Sequence, residues 1–421
     1  MQQLIKVLRR RGQYIIKTTG NSMLPLIRAD DSLYIKGIKS ARVNINDIIA
    51  LFKNKKIIAH RVVYKRHNCF ITKGDNSLKA DGKIYPRQII GQVFQLKRSG
   101  QIINLENFYL FQSTLYFREI IKIVRLMEKH KINYVFLKGL PLYLHVIEAH
   151  PNKIYADCDL LIDIDQLAIA EKLLNKAGFI KHETYYSPFH KYFKVRSEEA
   201  FFSKKIKQIR INLDIHYEAN YWKNHLGTLN VLYSQSNIDK LTSSFLREKK
   251  FINLYGSSLP ILSPANLVIF LLLHYFHHNF KGVFRLSFID KVIRKEKKID
   301  WKEMAIKIEE YKLNNYVYPG LLLLKKYFLT PVDGDIMSVL KPGRRESAFI
   351  QDKILKENIF NDEERIFAGI KRFKYIFILS TEQGLKKLMI FLYPKVIYSA
   401  FWILYRKLMI NTKIAGKLKT D

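Results

Sequence analysis

The stretch that decides the fold of the middle of the chain is Asp157-Cys158-Asp159-Leu160-Leu161-Ile162-Asp163-Ile164, or DCDLLIDI. Residues two apart on a strand project to one face, so a strand here points Asp157 and Asp159 the same way. Two like charges held together are unfavourable without a cation, and carboxylate oxygens suit Mg²⁺ or Mn²⁺. Asp214, in NLDIH, supplies a third carboxylate from a neighbouring strand. A solvated turn at the strand end is the alternative interpretation.

The segments around this stretch predict an α/β unit. VFLKG and INLDIHYEA are typical of strands, while LPLYLHVIEAH and QLAIAEKLLNKAGF have the period of helices. The second acidic pair, Asp163 and Asp165, predicts a helix start, with Asp165 as the N-cap. We expect an α/β core over residues 106–225. A largely helical extension over 226–421 follows, with a hairpin at FINLYGSSLPIL.

The N-terminal quarter has a different pattern. Short apolar runs such as SLYIKG, DIIALF and IIAHRVV alternate with polar residues and are separated by Gly, Asn or Asp. This pattern predicts an all-β domain over residues 1–105, with a turn at KRSG before its last short run. Helical periodicity begins at Phe117. The predicted fold class is therefore multidomain: an all-β domain, an α/β (α+β) domain and a helical extension.

Composition limits the functional classes. The chain has 421 residues, 48% of them hydrophobic and 26% charged, which excludes collagen-like and mostly disordered proteins. The net charge of +35 favours anionic partners, or reflects a Lys-rich proteome. Cys69 and Cys158 form no disulfide framework, which favours a cytoplasmic location. The apolar run Leu388–Tyr405 is interrupted by Pro394, so we expect a helix pair or peripheral contact with an anionic membrane.

A serine and a histidine form the first candidate site. Ser22 lies in the turn GNSMLP, His60 lies in the strand-like AHRVV, and the loop KGDNSLKAD brings Asp75 and Asp81. A neutral imidazole can take the proton of a serine hydroxyl, and a carboxylate can orient the imidazole. Each residue also has a structural interpretation: Ser22 as a turn former, His60 as a packed or surface residue of a strand, and the aspartates as ordinary loop residues.

In this order, GNSMLP, NDII, HRVV, KGDNSLKAD and IIGQV resemble the S24/S26 serine peptidase superfamily over residues 14–97. The signal-peptidase branch of archaea and the endoplasmic reticulum is the most similar, since it has histidine as the base. The resemblance implies that Ser22 is the nucleophile and His60 the general base, and that Asp75 or Asp81 completes the triad. Members that process exported proteins have a membrane helix before the serine. None precedes Ser22, so the expected substrate is a cytosolic or membrane-proximal peptide or protein.

The second candidate site also has a family resemblance. FLKG, then KIYADCDLL, then LDIHY, resemble the uncharacterised nucleotidyltransferase-like family of the DNA polymerase β superfamily over residues 113–405. The resemblance implies that Asp157, Asp159 and Asp214 bind Mg²⁺ or Mn²⁺, and that Lys138 and Gly139 contact the phosphates of a nucleoside triphosphate. Lys153 replaces the family's arginine. This change keeps the positive charge and loses the bidentate fork.

Other aromatic and histidine residues have two interpretations each. His274 and His278 share a helix face and are either metal ligands or residues of a core or groove. Four more aromatic residues either line a pocket, stack against bases or belong to a core: Tyr185, Tyr186, Tyr192 and Phe193.

The two resemblances together imply a bifunctional enzyme, a serine peptidase joined to a metal-dependent nucleotidyltransferase that acts in peptide maturation. Two alternatives remain. The chain is a catalytically degenerate protein that binds nucleotide or nucleic acid, or it is a toxin–antitoxin nucleotidyltransferase with a self-cleaving regulatory domain. Nucleic acid is not the favoured partner.

Overall fold

The computed structural model describes residues 12–67, 69–155, 157–182, 199–207, 209–219, 232–296, 299–362, 365–381 and 385–392, with 397, 401 and 405. It has an N-terminal all-β region, then an α/β region that ends in helices, which confirms the predicted succession. No helix in these ranges is both long and apolar enough to span a bilayer. Most of the run Leu388–Tyr405 lies outside them, as do Tyr185, Tyr186, Tyr192 and Phe193.

The N-terminal region is one antiparallel sheet with strand order β1-β2-β7-β3-β4-β5-β6, and β8 pairs with β7. Alternate residues of its strands are buried, as Leu33 and Ile35 are in β2, because successive side chains leave opposite faces. Ser99 and Gly100 form the predicted turn between β7 and β8. The strands are β1 (Gln13–Lys17), β2 (Ser32–Lys36), β3 (Ile48–Lys53), β4 (Lys56–Arg66), β5 (Cys69–Lys73), β6 (Lys83–Ile84), β7 (Ile89–Arg98) and β8 (Gln101–Asn104).

A second, mixed sheet forms the α/β region in the order β11-β12-β13-β10-β9-β15-β14. Its central strands β10 and β13 run parallel and place Asp159 opposite Asp214. The sheet therefore brings together carboxylates that lie 55 positions apart in the sequence. Its strands are β9 (Tyr134–Lys138), β10 (Asp159–Ile162), β11 (Ile180–His182), β12 (Glu199–Ile206), β13 (Ile209–His216), β14 (Lys249–Leu254) and β15 (Ser257–Leu262).

Helices cover this sheet and form the C-terminal part. Helix α5 (Pro264–His277) is buried along nearly its whole length, so it lies at the centre of the helical core. The helices are α1 (Leu105–Lys129), α2 (Leu140–Ile147), α3 (Leu167–Lys176), α4 (Gln235–Arg247), α5 (Pro264–His277), α6 (Val283–Lys295), α7 (Trp301–Glu310), α8 (Asn314–Phe328), α9 (Gly334–Val339), α10 (Arg344–Phe349), α11 (Arg365–Leu379) and α12 (Leu385–Leu388).

Two local predictions were wrong. Helix α1 begins at Leu105 and not at Phe117, because the Asn104 side chain accepts the N–H of Asn107 and caps it. At the second acidic pair, Asp163 is the cap, since its carboxylate accepts the N–H of Asp165 at 3.2 Å. A 3₁₀ turn then leads into α3.

The all-β region packs directly against the helical part. The Tyr64 hydroxyl of β4 donates to the carbonyl of Tyr327 at 2.9 Å, and its ring contacts Phe328 and Phe360. Asn361 accepts the backbone N–H of Ala80 at 3.0 Å. The two regions thus share buried contacts.

Candidate functional sites

Ser22, His60 and Asp81 form a hydrogen-bonded chain on the N-terminal sheet. Ser22 Oγ lies 2.9 Å from His60 Nε2, and His60 Nδ1 lies 2.6 Å from Asp81 Oδ2. The side chains of His60 and Asp81 are only 11% and 14% exposed. This arrangement allows the imidazole to take the serine proton while the carboxylate holds the ring in one orientation.

Asp81 is held as a carboxylate by its neighbours. Burial by itself raises the pKa of Asp81, but hydrogen bonds from His60 and Thr72 outweigh burial and leave the pKa below its usual value. The Thr72 hydroxyl donates to Asp81 Oδ2 at 2.7 Å, and the backbone N–H of Asp81 donates to the Thr72 carbonyl at 2.8 Å. The carboxylate beside His60 is therefore ionised at neutral pH.

The loop after β5 comes close to the serine. The backbone N–H of Asn76 donates to the Ser22 carbonyl at 2.8 Å. A Cβ on Gly74 would lie 2.6 Å from that carbonyl oxygen, so only glycine lets the two segments approach this closely. The glycine of the KGDN motif is thus needed to seat the serine turn.

Asp75 is not the carboxylate that meets the histidine. Its two oxygens accept from Arg61, from Nε at 2.8 Å and from Nη2 at 2.6 Å. Arg61 follows His60 in β4 and projects to the opposite face of the strand, which draws Asp75 away from the imidazole. Of the two acidic loop positions, the structure thus brings Asp81 and not Asp75 to His60.

The second site is a trio of carboxylates on adjacent strands: Asp159 begins β10, Asp157 precedes it, and Asp214 lies within β13. One oxygen each from Asp157, Asp159 and Asp214 lies within 4.8 Å of the others. Asp159 is buried, whereas the side chain of Asp157 is 45% exposed. Asp159 is therefore enclosed by the protein, whereas Asp157 is accessible to solvent.

Lys138 and His216 both contact the buried carboxylate of Asp159. Lys138 Nζ lies 2.9 Å from Asp159 Oδ2 and 3.2 Å from Asp157 Oδ2, and His216 Nε2 lies 3.0 Å from Asp159 Oδ1. Burial raises the pKa of Asp159, but Lys138 and His216 outweigh it and hold the pKa below its ordinary value. Sequence reasoning gave His216 no role, although its position two residues after Asp214 on a strand puts both on one face.

Gly139 joins β9 to helix α2 at the edge of the trio. Its φ of +115° suits glycine alone, and a Cβ there would lie 2.8 Å from Cys158 Cα. Cys158, which lies between the two aspartates in sequence, is a buried free thiol. Gly139 therefore lets the first turn of α2 lie against the strand that carries Asp157 and Asp159.

A cavity of about 400 Å³ opens beside the trio. Lys138, Gly139, Lys153 and Asp157 line it, as do His274 and His278. Its other charged or aromatic residues are Tyr143, Tyr155, Phe284, Arg285, Phe288 and Lys291. The lining is strongly cationic and aromatic, a combination suited to phosphates and a planar ring.

The Lys153 ammonium lies over the rings of Tyr155 and Phe284, 5.8 Å and 5.4 Å from their centres. Burial, assisted by the positive charges of Arg61 and Arg285, lowers the pKa of Lys153 to about 8.

His274 and His278 stack edge to face in the cavity wall, with ring centres 4.7 Å apart. Burial first, and nearby positive charges second, hold the pKa of each histidine well below its ordinary value. They lie outside the group of carboxylates that could hold a metal among the described residues. Their position matches the groove-lining interpretation.

The carboxylate trio has the chemistry that a hard divalent cation requires. Its donors are carboxylate oxygens from adjacent strands, the ligands that such a cation prefers. The Lys138 ammonium contacts two of these carboxylates, those of Asp157 and Asp159. The residues therefore fit a hard divalent cation.

A comparison with protein families matches the region that contains the carboxylate trio. A family model described as "Uncharacterised nucleotidyltransferase" matches residues 107–329, more than half of the chain. Among solved structures, an antigenic nucleotidyltransferase-like protein from Paracoccidioides brasiliensis is 12% identical over 55% of this chain and 91% of that chain. Its TM-score is 0.29. No curated protein matches the chain.

Proposed function

The chain belongs to the uncharacterised nucleotidyltransferase family, and we propose that it transfers a nucleotidyl group from a nucleoside triphosphate to an acceptor hydroxyl. The observation that carries this proposal is the carboxylate trio of Asp157, Asp159 and Asp214 at the mouth of a cationic cavity. Carboxylates beside a cationic space suit a triphosphate and the divalent ion bound to it.

Each group has a role in this proposal. A divalent ion bound by the trio would neutralise the triphosphate and assist departure of pyrophosphate. Lys138 and Lys153 bind phosphate oxygens, and the backbone at Gly139 lets the phosphates approach the first turn of α2. The rings of Tyr155 and Phe284 provide a surface for the base or the acceptor.

The proposal is tested by incubating the chain with α-labelled nucleoside triphosphates, Mg²⁺ and candidate peptides. We expect labelled product from the wild type and none from the Asp157→Ala or Asp214→Ala variants. Asp165→Ala is the matched control, since Asp165 is an exposed aspartate outside the trio. Labelling that persists in the Asp157→Ala and Asp214→Ala variants would refute the proposal.

A specific observation favours a second function, serine-dependent hydrolysis of a peptide bond. The hydrogen-bonded chain from Ser22 through His60 to Asp81 supports Ser22 as nucleophile, His60 as general base and Asp81 as the orienting carboxylate. The short approach of Gly74 to the serine turn supports the same assignment, because it fixes the turn that carries the hydroxyl.

A fluorophosphonate probe, which reacts with activated serines, tests this second function. We expect labelling of the wild type and none of the Ser22→Ala or His60→Ala variants. The exposed turn residue Ser99 provides the control variant Ser99→Ala, which should label fully. A wild type that reacts no faster than His60→Ala would contradict an activated Ser22.

The fusion of the two sites supports a joint role in peptide maturation. In this role one site, with Ser22 as nucleophile, cleaves a peptide substrate, and the carboxylate trio nucleotidylates the same peptide. Mass spectrometry of a candidate peptide incubated with nucleotide would detect both changes. Products that carry only one change, for every peptide tested, would separate the two activities. Autoproteolysis without peptide cleavage would instead favour the self-cleaving regulatory alternative.

A further inference from the structure

We infer that Arg61 of the N-terminal sheet is a positioning residue for the nucleotide cavity, acting through the backbone of Asn46 and Asn152 to hold Lys153 in place. This inference rests on the proposed nucleotidyl transfer and adds a role for the all-β region in it. The region then forms part of the nucleotide site in addition to carrying Ser22.

The contacts of Arg61 cross from one region to the other. Its Nη1 donates to the carbonyl of Asn46 at 2.9 Å and to the carbonyl of Asn152 at 3.3 Å. The bidentate pair with Asp75 fixes the guanidinium plane, and the side chain is only 9% exposed. A fully engaged, buried guanidinium has little rotational freedom, so its two carbonyl partners are held at a fixed separation.

Both carbonyls belong to segments that form the cavity. Ile45 and Asn46 line it from the N-terminal sheet, and Lys153, the residue after Asn152, lines it from the α/β region. The side-chain amide of Asn152 returns a bond to the Ile45 carbonyl at 3.4 Å. The wall on this side of the cavity is therefore made jointly by the two regions.

The segment that carries Lys153 is also held from its other end. Gln112 of α1 donates to the Tyr155 carbonyl at 2.8 Å and accepts the Tyr155 N–H at 3.2 Å. Lys153 thus lies between two anchored residues, one held by Arg61 and one by Gln112. Loss of the Arg61 anchor would free one end of the segment and let the lysine leave the position from which it reaches phosphate.

A double-mutant cycle on the full chain tests this inference. The measurement is the dissociation constant of a fluorescent, non-hydrolysable ATP analogue, and of its GTP counterpart, in the presence of Mg²⁺. We expect Arg61→Met to weaken binding about tenfold, because Lys153 then loses its hydrogen bond to a phosphate oxygen of the nucleotide. In a Lys153→Met background, the same change should weaken binding less than about twofold, because the lysine it positions is gone.

Matched variants separate positioning from general damage. Lys17→Met removes an exposed cation of the same sheet and should bind like the wild type. Arg61→Lys keeps a charge that reaches one carbonyl and should restore part of the affinity; it also serves if Arg61→Met does not fold.

Equal affinities of the wild type, Arg61→Met and Arg61→Lys would overturn the inference and leave the proposed function intact. Fully additive losses in the cycle would also overturn it, since Arg61 would then act independently of Lys153. A wild type that binds neither analogue would overturn the proposed function together with this inference.

Discussion

Removing the carboxylate of Asp159 should destabilise the fold, whereas removing that of Asp157 should not, although both changes should abolish nucleotidyl transfer. Asp159 is buried between Lys138 and His216, at 2.9 Å and 3.0 Å. Asp159→Ala removes the 3.0 Å partner of the buried His216 and leaves Lys138 with Asp157 at 3.2 Å, so it should cost about 1–3 kcal/mol. Asp157 is half-exposed and shares the same lysine at 3.2 Å, so Asp157→Ala should cost less than about 1 kcal/mol.

Urea unfolding, followed by tryptophan fluorescence and by circular dichroism, measures the difference. A chain of several regions need not unfold in a single two-state transition, so the quantity compared is the midpoint of the major transition. The midpoint should fall clearly for Asp159→Ala and stay within error for Asp157→Ala. The depressed pKa of Asp159 adds a pH test: its stabilising effect is complete above the unfolded-state pKa and is lost as the pH falls through the folded one. Equal midpoints for the two variants at neutral pH would refute the reasoning.

Three further predictions follow from single contacts. Gly139→Ala, which forces a Cβ against Cys158 at a φ of +115°, should lower stability by at least about 2 kcal/mol in thermal unfolding; an unchanged melting temperature would contradict the strained conformation. With the pKa of Lys153 at about 8, nucleotide affinity should fall as the pH rises above 8, and Lys153→Arg should keep it to pH 9; parallel curves would exclude Lys153 as the titrating group. Thr72→Val removes a 2.7 Å bond to Asp81 and should slow fluorophosphonate labelling about threefold to tenfold, without changing nucleotide affinity.

The fold was predictable where local pattern and burial agree. The turn at KRSG between β7 and β8 follows from turn residues between two short apolar runs, a pattern set by near neighbours alone. The strand predicted within DCDLLIDI is present only as Asp159–Ile162, and Asp157 precedes it. The start of α1 was missed because aromatic residues on both faces of residues 105–116 hide the helical period. The cap at Asn104 was the signal that could have located it.

The candidate sites were predictable as sets of residues and not as pairings. The choice between Asp75 and Asp81 depends on Arg61, whose side chain takes the first carboxylate and leaves the second for His60. The contact of Arg61 with Asn152 joins positions 91 apart, and no local pattern encodes it. Such contacts arise when two regions pack together, so they require the structure.

The loop that carries Asp81 depends on a part of the chain made much later. Ala80 donates to Asn361, 281 positions further on, and Asp362 donates its N–H to the carbonyl of Leu78 at 2.7 Å. A ribosome adds about 5–20 residues per second, so these bonds form roughly 15–60 s after the loop itself emerges. During synthesis the nascent N-terminal sheet therefore carries its serine and histidine without this brace, and the brace is added only when the helical part has been translated.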